Sequence, residues 1–396
     1  MKGAITAPAG FRAAGVSAGI KKDTADLALL VADAPCAAAA VFTTNRAQAA
    51  PVLVSREHIA SGRARAVVVN SGCANAATGE GGLADAREMA SLTAQAVGCS
   101  PAEVLLASTG VIGVRLPMEK LRAAIPRAAA ALSKEGGGDA ARAIMTTDTR
   151  PKEVLVEFAV GGRTAHLGGM AKGAGMIAPQ LATMLAFLTT DAAIAPKLLR
   201  QALTPAVAAS FNSITVDGDT STNDTVVVLA SGACGAPLIE RAGPDLEAFG
   251  AALGEACQRL AQMLIRDGEG ATRVAEVRVE GARTHEDAER VARTIADSPL
   301  VKTALYGGDA NWGRILGAVG RAGVALDINR VDIFLGDVWV SEAGAAREYD
   351  ESLATDAFTR DTVLIRVRLN AGRESASVWT CDLSHGYVDI NGSYRS

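Results

Sequence analysis

Apolar residues recur along this chain with two different periods, and the switches between them predict a mixture of strands and helices. Residues 66–70, Ala-Val-Val-Val-Asn, form a short apolar run bounded by small residues, the pattern of a buried strand. Residues 104–107 and 225–229 have the same character. Val154, Val156, Phe158 and Val160 alternate with polar or small residues. Gly161-Gly162 and a second strand near 164–167 follow, which together predict a hairpin. In residues 245–266, Leu246, Phe249, Leu253, Leu260 and Leu264 recur at helical spacing and mark the clearest helix. Residues 83–97, 196–209 and 286–296 also read as helices. Residues 117–132 form an Ala-rich helical stretch that Pro126 is expected to interrupt. Strands near 274–279, 331–335, 363–367 and 377–381 carry the chain to its end. No fixed-period repeat and no low-complexity linker isolates a module. The pattern predicts an α/β protein of α and β layers, with the strand order left open.

Composition narrows the class. A chain of 396 residues with 49% hydrophobic content is long enough to bury a large core. A net charge of −4 with 4% aromatic residues offers neither a basic surface for nucleic acid nor stacking platforms for bases. The longest apolar run, residues 176–188, contains Pro179, Gln180 and Thr183 and falls short of the ~18 apolar residues that a membrane span needs. Pro8, Gly10 and Arg12 break the N-terminal segment, so no secretory signal is predicted there. Six cysteines lack any C-x-x-C spacing, and the four histidines do not cluster. Reduced thiols in a cytoplasmic protein without a metal site are the expectation.

Within that longest apolar run lies Ala182-Thr183, preceded by the flexible segment Lys172-Gly-Ala-Gly-Met176. An internal threonine becomes an N-terminal nucleophile if the chain is cut just before it. The freed α-amine, with a pKa of about 7.7–8.0, can then act as base for the hydroxyl of the same residue. A threonine in an apolar stretch is more often a plain core residue, so the rest of the chain decides between the two readings.

Six polar segments stand at the ends of apolar elements. They are Asn70-Ser-Gly-Cys-Ala-Asn75, Ser108-Thr-Gly110, Thr146-Thr-Asp-Thr149, Asp217-Gly-Asp-Thr-Ser-Thr-Asn-Asp224, Asp267-Gly-Glu-Gly-Ala-Thr272 and Asp389-Ile-Asn-Gly-Ser-Tyr-Arg-Ser396. Singly, each is explained by turn chemistry. In this order, and with Lys172 and Ala182-Thr183, they resemble the ornithine acetyltransferase (glutamate N-acetyltransferase) family of arginine biosynthesis. The resemblance runs nearly end to end, from Val41-Phe-Thr-Thr-Asn-Arg46 to Tyr387-Val-Asp-Ile-Asn391. It departs at Ala178-Pro-Gln-Leu181, where many relatives carry a His or Asn and a Met, and at Ala310, where Pro is common.

The resemblance implies a self-processing, N-terminal-nucleophile-like acetyltransferase fold of the DmpA/ornithine acetyltransferase superfamily. It implies a cut between Ala182 and Thr183 that gives an α chain, residues 1–182, and a β chain, residues 183–396, usually assembled two of each. Thr183 would take the acetyl group of N-acetylornithine and pass it to glutamate. Thr109 would supply a hydroxyl, and Gly110 a backbone N–H, to the oxyanion. Lys172, Glu269, Asn391 and Ser396 map to substrate contacts. So does one threonine of 146–149, with Thr147 favoured and Thr146 and Thr149 close enough to compete. No metal or cofactor is implied, and acetyl-CoA stays open as a second acetyl donor. A hydrolase or aminopeptidase using water as acceptor would share the cut and the oxyanion logic. A non-catalytic binding protein would leave the chain uncut.

Overall fold

The computed structural model describes residues 3–178 and 184–393, so Ala182, Thr183 and Ser396 lie outside the described residues. The fold is mixed α/β and divides into two compact units, Met1–Asn212 with Asp219–Leu264, and Ser213–Gly218 with Ile265–Ser396.

The first unit holds β1 (Phe11–Val16), β2 (Leu27–Phe42), β3 (Arg63–Cys73), β4 (Val104–Val111), β5 (Lys152–Val160), β6 (Arg163–Lys172) and β7 (Leu185–Thr190). The short β8 (Ile214–Thr215) belongs to the second unit, and β9 (Thr225–Ala230) returns to the first. The sheet order is β4-β3-β2-β9-β7-β6-β5, with β1 paired to β2. Helices α1 (Ala50–His58), α2 (Gly79–Val97), α3 (Met118–Ala130), α4 (Gly137–Ala143), α5 (Pro196–Ala208) and α6 (Pro244–Arg266) accompany it.

The continuous apolar runs are explained by cover on both faces. Val67 and Val69 of β3, Leu105 and Ala107 of β4, and Leu30 of β2 pack with Ala140, Ala141 and Ile144 on one side. Ala66, Val68, Val104, Leu106 and Leu29 pack with Met89 of α2 and Leu121 and Ile125 of α3 on the other. A strand covered twice reads as unbroken hydrophobicity rather than alternation.

Two expectations change. The stretch around Pro126 is one helix, α3, with Pro126 inside it. Burial of Leu121, Ala124, Ile125 and Ala128 along one stripe outweighs the single hydrogen bond that the proline removes. The second hairpin strand is longer than residues 164–167 and continues to Lys172. Gly168-Gly169 broke the apolar pattern. Gly168 packs where a Cβ would stand 1.9 Å from the Ala4 carbonyl oxygen.

β7 begins two residues after Thr183 and lies between β6 and β9, antiparallel to the former and parallel to the latter. Chain from either side of the Ala182–Thr183 bond therefore shares one hydrogen-bonded sheet.

The second unit has a sheet of order β13-β12-β11-β14-β10-β15-β8. Its remaining strands are β10 (Val274–Ala282), β11 (Asp332–Leu335), β12 (Val338–Glu342), β13 (Ala345–Ala346), β14 (Thr362–Arg368) and β15 (Glu374–Cys381). Helix α7 (His285–Ala296) lays Val291 and Ile295 on Val277, Val279, Ile365 and Val367, and Thr284 caps it by accepting the Asp287 N–H. Helices α8 (Pro299–Gly307), α9 (Trp312–Gly320) and α10 (Glu351–Phe358) extend this core, and α11 (His385–Gly392) follows β15. Among the described residues, no helix is long and apolar enough to cross a membrane.

Candidate active site

β3 and β4 run parallel and pair Asn70 with Ser108, Ser71 with Thr109 and Gly72 with Gly110. Two of the six polar segments thus leave the sheet side by side at the carboxyl ends of parallel strands, the usual position of sites in open α/β sheets. Their buried polar groups are matched. Ser108 Oγ donates to Asn70 Oδ1 at 2.6 Å, and Asn70 Nδ2 donates to the Cys73 carbonyl at 2.8 Å. Asn223 Nδ2 bridges the Ala74 and Ser108 carbonyls at 2.7 and 2.9 Å. Such satisfied networks hold strand ends in one arrangement.

Gly110 has φ +132°, and a Cβ there would lie 2.3 Å from the Gly72 carbonyl carbon. The obstacle is the backbone of a paired strand, which cannot step aside. Gly110→Ala is expected to cost about 3 kcal/mol or more. Thermal unfolding should register it as a Tm drop on the order of 5–10 °C.

Lys172, the last residue of β6, reaches this corner although it is only 2% exposed. Its Nζ donates to Thr109 Oγ1 at 3.2 Å and to Thr146 Oγ1 at 2.7 Å. An ammonium only donates, so Thr109 accepts from Lys172 and its own hydroxyl hydrogen points elsewhere. Of the three competing threonines, Thr146 makes this contact. Thr147 is half-buried beside it.

Asp148 anchors the cluster. Its Oδ1 accepts from Lys152 Nζ at 2.6 Å and from the Gly173 N–H at 2.7 Å, and Oδ2 lies 3.9 Å from Lys172 Nζ. Burial alone would raise its pKa, but Lys172, Lys152 and the Gly173 N–H outweigh burial and hold it at about 2. Lys21, whose Nζ donates to the Met145 carbonyl, has a lowered pKa. Burial is the main cause, and Lys172 adds to it against Asp26 and Asp148. Ammonium groups thus outnumber the carboxylate at Asp148.

A depressed carboxylate pKa stabilises the fold above the unfolded value near 4 and loses that contribution as pH falls toward 2. The shift corresponds to roughly 2 kcal/mol. Asp148→Asn also strands two buried cations, so it should cost about 3–5 kcal/mol near pH 7. The gap to the wild type should close as pH drops from 4 to 2. Asp224, whose pKa is raised by burial, acts with the opposite sign in both proteins and cancels in that difference.

Between Lys172 and β7 the described chain runs to Ala178 and resumes at Met184, both buried. The Met184 N–H donates to Asp224 Oδ1 at 3.1 Å. The segment 217–224 reads as a motif in the sequence, but the part played by Asn223 and Asp224 emerges only from these contacts. Asp148, Lys152 and Lys21 carry no motif signal of their own, and burial together with the contacts to Gly173 and Met145 is what singles them out.

The second unit brings another predicted pair together. Asn391 Nδ2 of α11 donates to Glu269 Oε2 at 2.7 Å, and Glu269 is 7% exposed. The Ser384 hydroxyl fixes the Gly270 carbonyl at 2.6 Å, and Tyr387 Oη donates to Asp217 Oδ2 at 3.2 Å. These bonds tie the 267–270 turn and Asp217 to α11 and its N-cap. Among the described residues, no group of three or more His, Cys, Asp or Glu side chains could hold a metal ion. The six cysteines are unpaired, and burial pushes the Cys36 and Cys257 thiols up to about 12, leaving them chemically inert.

A layered α/β unit that gathers hydroxyls, ammonium groups and a carboxylate at its strand ends has the make-up of an enzyme working by nucleophilic or acid–base chemistry. The particular family follows from comparison with known proteins. The chain belongs to the ArgJ family, whose model matches residues 12–396. It is 52% identical over 399 residues to an arginine biosynthesis bifunctional protein ArgJ of Symbiobacterium thermophilum, covering 100% of this chain and 99% of that one. It is 49% identical to the protein of the same name from Dehalococcoides mccartyi, covering 100% and 98% of the two chains. A crystal structure of arginine biosynthesis bifunctional protein ArgJ from Bacillus halodurans matches with a TM-score of 0.51 and 44% identity. That match covers 52% of this chain and 98% of the other.

Proposed function

We propose that the protein is a glutamate N-acetyltransferase (ornithine acetyltransferase) of arginine biosynthesis. It cuts itself between Ala182 and Thr183 and then carries the acetyl group of N2-acetylornithine to glutamate on Thr183. Membership of the ArgJ family along residues 12–396 carries this reading. Two further observations support it. The Bacillus halodurans chain is about half as long as this one, as a processed chain would be. β7 is held by strands from both sides of the bond, so a cut would not release either piece.

The roles follow from the residues. Thr183 Oγ attacks the acetyl carbonyl carbon while its proton passes to the α-amine of the same residue. The new oxyanion accepts hydrogen bonds from the Thr109 hydroxyl, whose hydrogen Lys172 leaves available, and from the Gly110 N–H. The tetrahedral carbon then expels ornithine, whose departing nitrogen recovers the proton from the Thr183 ammonium. Acetyl-Thr183 remains. The amine of glutamate attacks it in the same way and leaves as N-acetylglutamate, restoring the hydroxyl. The ammonium excess of Lys172, Lys152 and Lys21 suits substrate carboxylates and disfavours protonation of the Thr183 amine. Thr147, half-buried beside the Lys172–Thr146 hydrogen bond, is proposed as a substrate contact. Glu269, oriented by Asn391, suits an amino-acid ammonium group, and Ser396 is proposed beside them as a substrate contact.

No metal or cofactor is proposed. Acetyl-CoA is a candidate second donor, which fits the word bifunctional in the relatives' names. The α chain (1–182) and β chain (183–396) are proposed to assemble two of each, in the cytoplasm. The test is product analysis with N-acetylornithine, with and without glutamate. N-acetylglutamate formed only with glutamate, in step with ornithine release, is expected. Equal substrate loss in both, with free acetate, would mean a hydrolase.

A further inference from the structure

One buried carboxyl group is left over by these roles. Asp224 is fully buried at the start of β9, and its Oδ2 has no hydrogen-bond partner among the described residues. The Thr43 and Ser221 hydroxyls lie close enough to favour its charged form, but neither completes a hydrogen bond to Oδ2. Burial outweighs them, together with the Met184 N–H and Lys172, and raises its pKa well above the usual carboxylate range. A buried polar atom without a partner calls for an explanation.

The surroundings show what the other oxygen of this carboxyl does. Met184 is gripped at both of its peptide groups: its N–H by Asp224 Oδ1 at 3.1 Å, its carbonyl by the Thr225 N–H at 3.3 Å. The peptide N–H that Asp224 holds is the one joined to the carbonyl of Thr183. The preceding residue, Asn223, bridges the Ala74 and Ser108 carbonyls, and Ser108 adjoins Thr109. The Asp224 carbonyl in turn accepts from the Thr43 N–H at 3.0 Å, which fixes the clasp to the end of β2. One dipeptide therefore grips the strand end that carries Thr109-Gly110 and the peptide that follows Thr183.

We infer that Asn223-Asp224 is a positioning clasp that sets the Thr183 nucleophile against the Thr109-Gly110 pair, with Asp224 acting through the Met184 N–H. The inference rests on Thr183 being the nucleophile. Asp224 touches no reacting atom in this scheme. Its acceptor oxygen fixes a peptide, and burial disfavours its charged form.

The test compares Asp224→Ala and Asp224→Asn with wild type in the full-length protein, reading self-cleavage by intact mass and turnover with N-acetylornithine and glutamate. Asparagine keeps an acceptor oxygen for the Met184 N–H. Asp224→Asn should stay within about fivefold of wild type in cleavage rate and kcat. Asp224→Ala should slow cleavage at least about a hundredfold, and its cleaved fraction should show a reduced kcat with KM nearly unchanged. Wild-type behaviour in Asp224→Ala would overturn the inference. So would a hundredfold loss in a stably folded Asp224→Asn, since the carboxylate itself would then be needed. If Asp224→Ala does not fold, Asp224→Asn still keeps the inference open to refutation. If wild type itself is not cut at Ala182–Thr183, the nucleophile reading fails, and this outcome is separate from either result at position 224.

Discussion

Thr183→Ala will remain a single uncut chain of 40.4 kDa and will lose turnover by a factor of at least about 10⁴. The size of the effect follows from two roles in one residue. The hydroxyl opens the preceding peptide bond in the precursor and carries the acetyl group in the mature enzyme. Without the cut, the α-amine proposed as base never forms. Thr183→Ser should process and turn over, since it keeps both groups. The fold should be indifferent to the alanine change, because β7 is held by β6 and β9 whether or not the bond before it is cut. Denaturing electrophoresis and steady-state rates with N-acetylornithine and glutamate check both halves of this expectation.

Thr109→Val should lower kcat by about 10²–10³, the usual cost of one oxyanion donor, with little change in KM. Valine nearly matches threonine in shape and removes only the hydroxyl. Lys172 loses its 3.2 Å acceptor but keeps Thr146 at 2.7 Å and stays near Asp148, so the corner should not collapse. Thr109→Ser should recover most of the activity. A Thr109→Val protein that turned over normally would move the oxyanion donor elsewhere, and the Gly110 N–H would be left to act alone.

Legibility in the sequence followed the range of the interaction. Strands covered on both faces, such as β3 and β4, announce themselves as apolar runs, and α6 and α7 carry clean stripes. Elements whose pattern is diluted by small residues did not. β2 spans Leu27–Phe42 with four alanines in its second half and an exposed irregularity at residues 33–35, so its pattern does not read as a strand. The end of β6 was hidden by glycines that serve close packing against the Ala4 carbonyl.

The site shows the same division. The family resemblance implies that Glu269 and Asn391 are both substrate contacts, and their side chains meet, 122 residues apart in the chain. Thr109 and Lys172 were likewise expected together and are hydrogen bonded. Asp148, Lys152, Lys21, Asn223 and Asp224 do not stand out in the sequence. Nothing local distinguishes an aspartate in a turn from one that is buried between two lysines. Only the tertiary contact reveals that Asp148 anchors the ammonium cluster, or that Asp224 holds the peptide beyond Thr183.

The most direct measurement of the central claim is an acid-quenched intact-mass experiment on wild type incubated with N-acetylornithine alone. The account predicts two chains, residues 1–182 and 183–396, with the second heavier by one acetyl group and that group on Thr183. Adding glutamate before the quench should remove it. A single uncut chain that turns over, or an acetyl group carried on any other residue, would contradict the account.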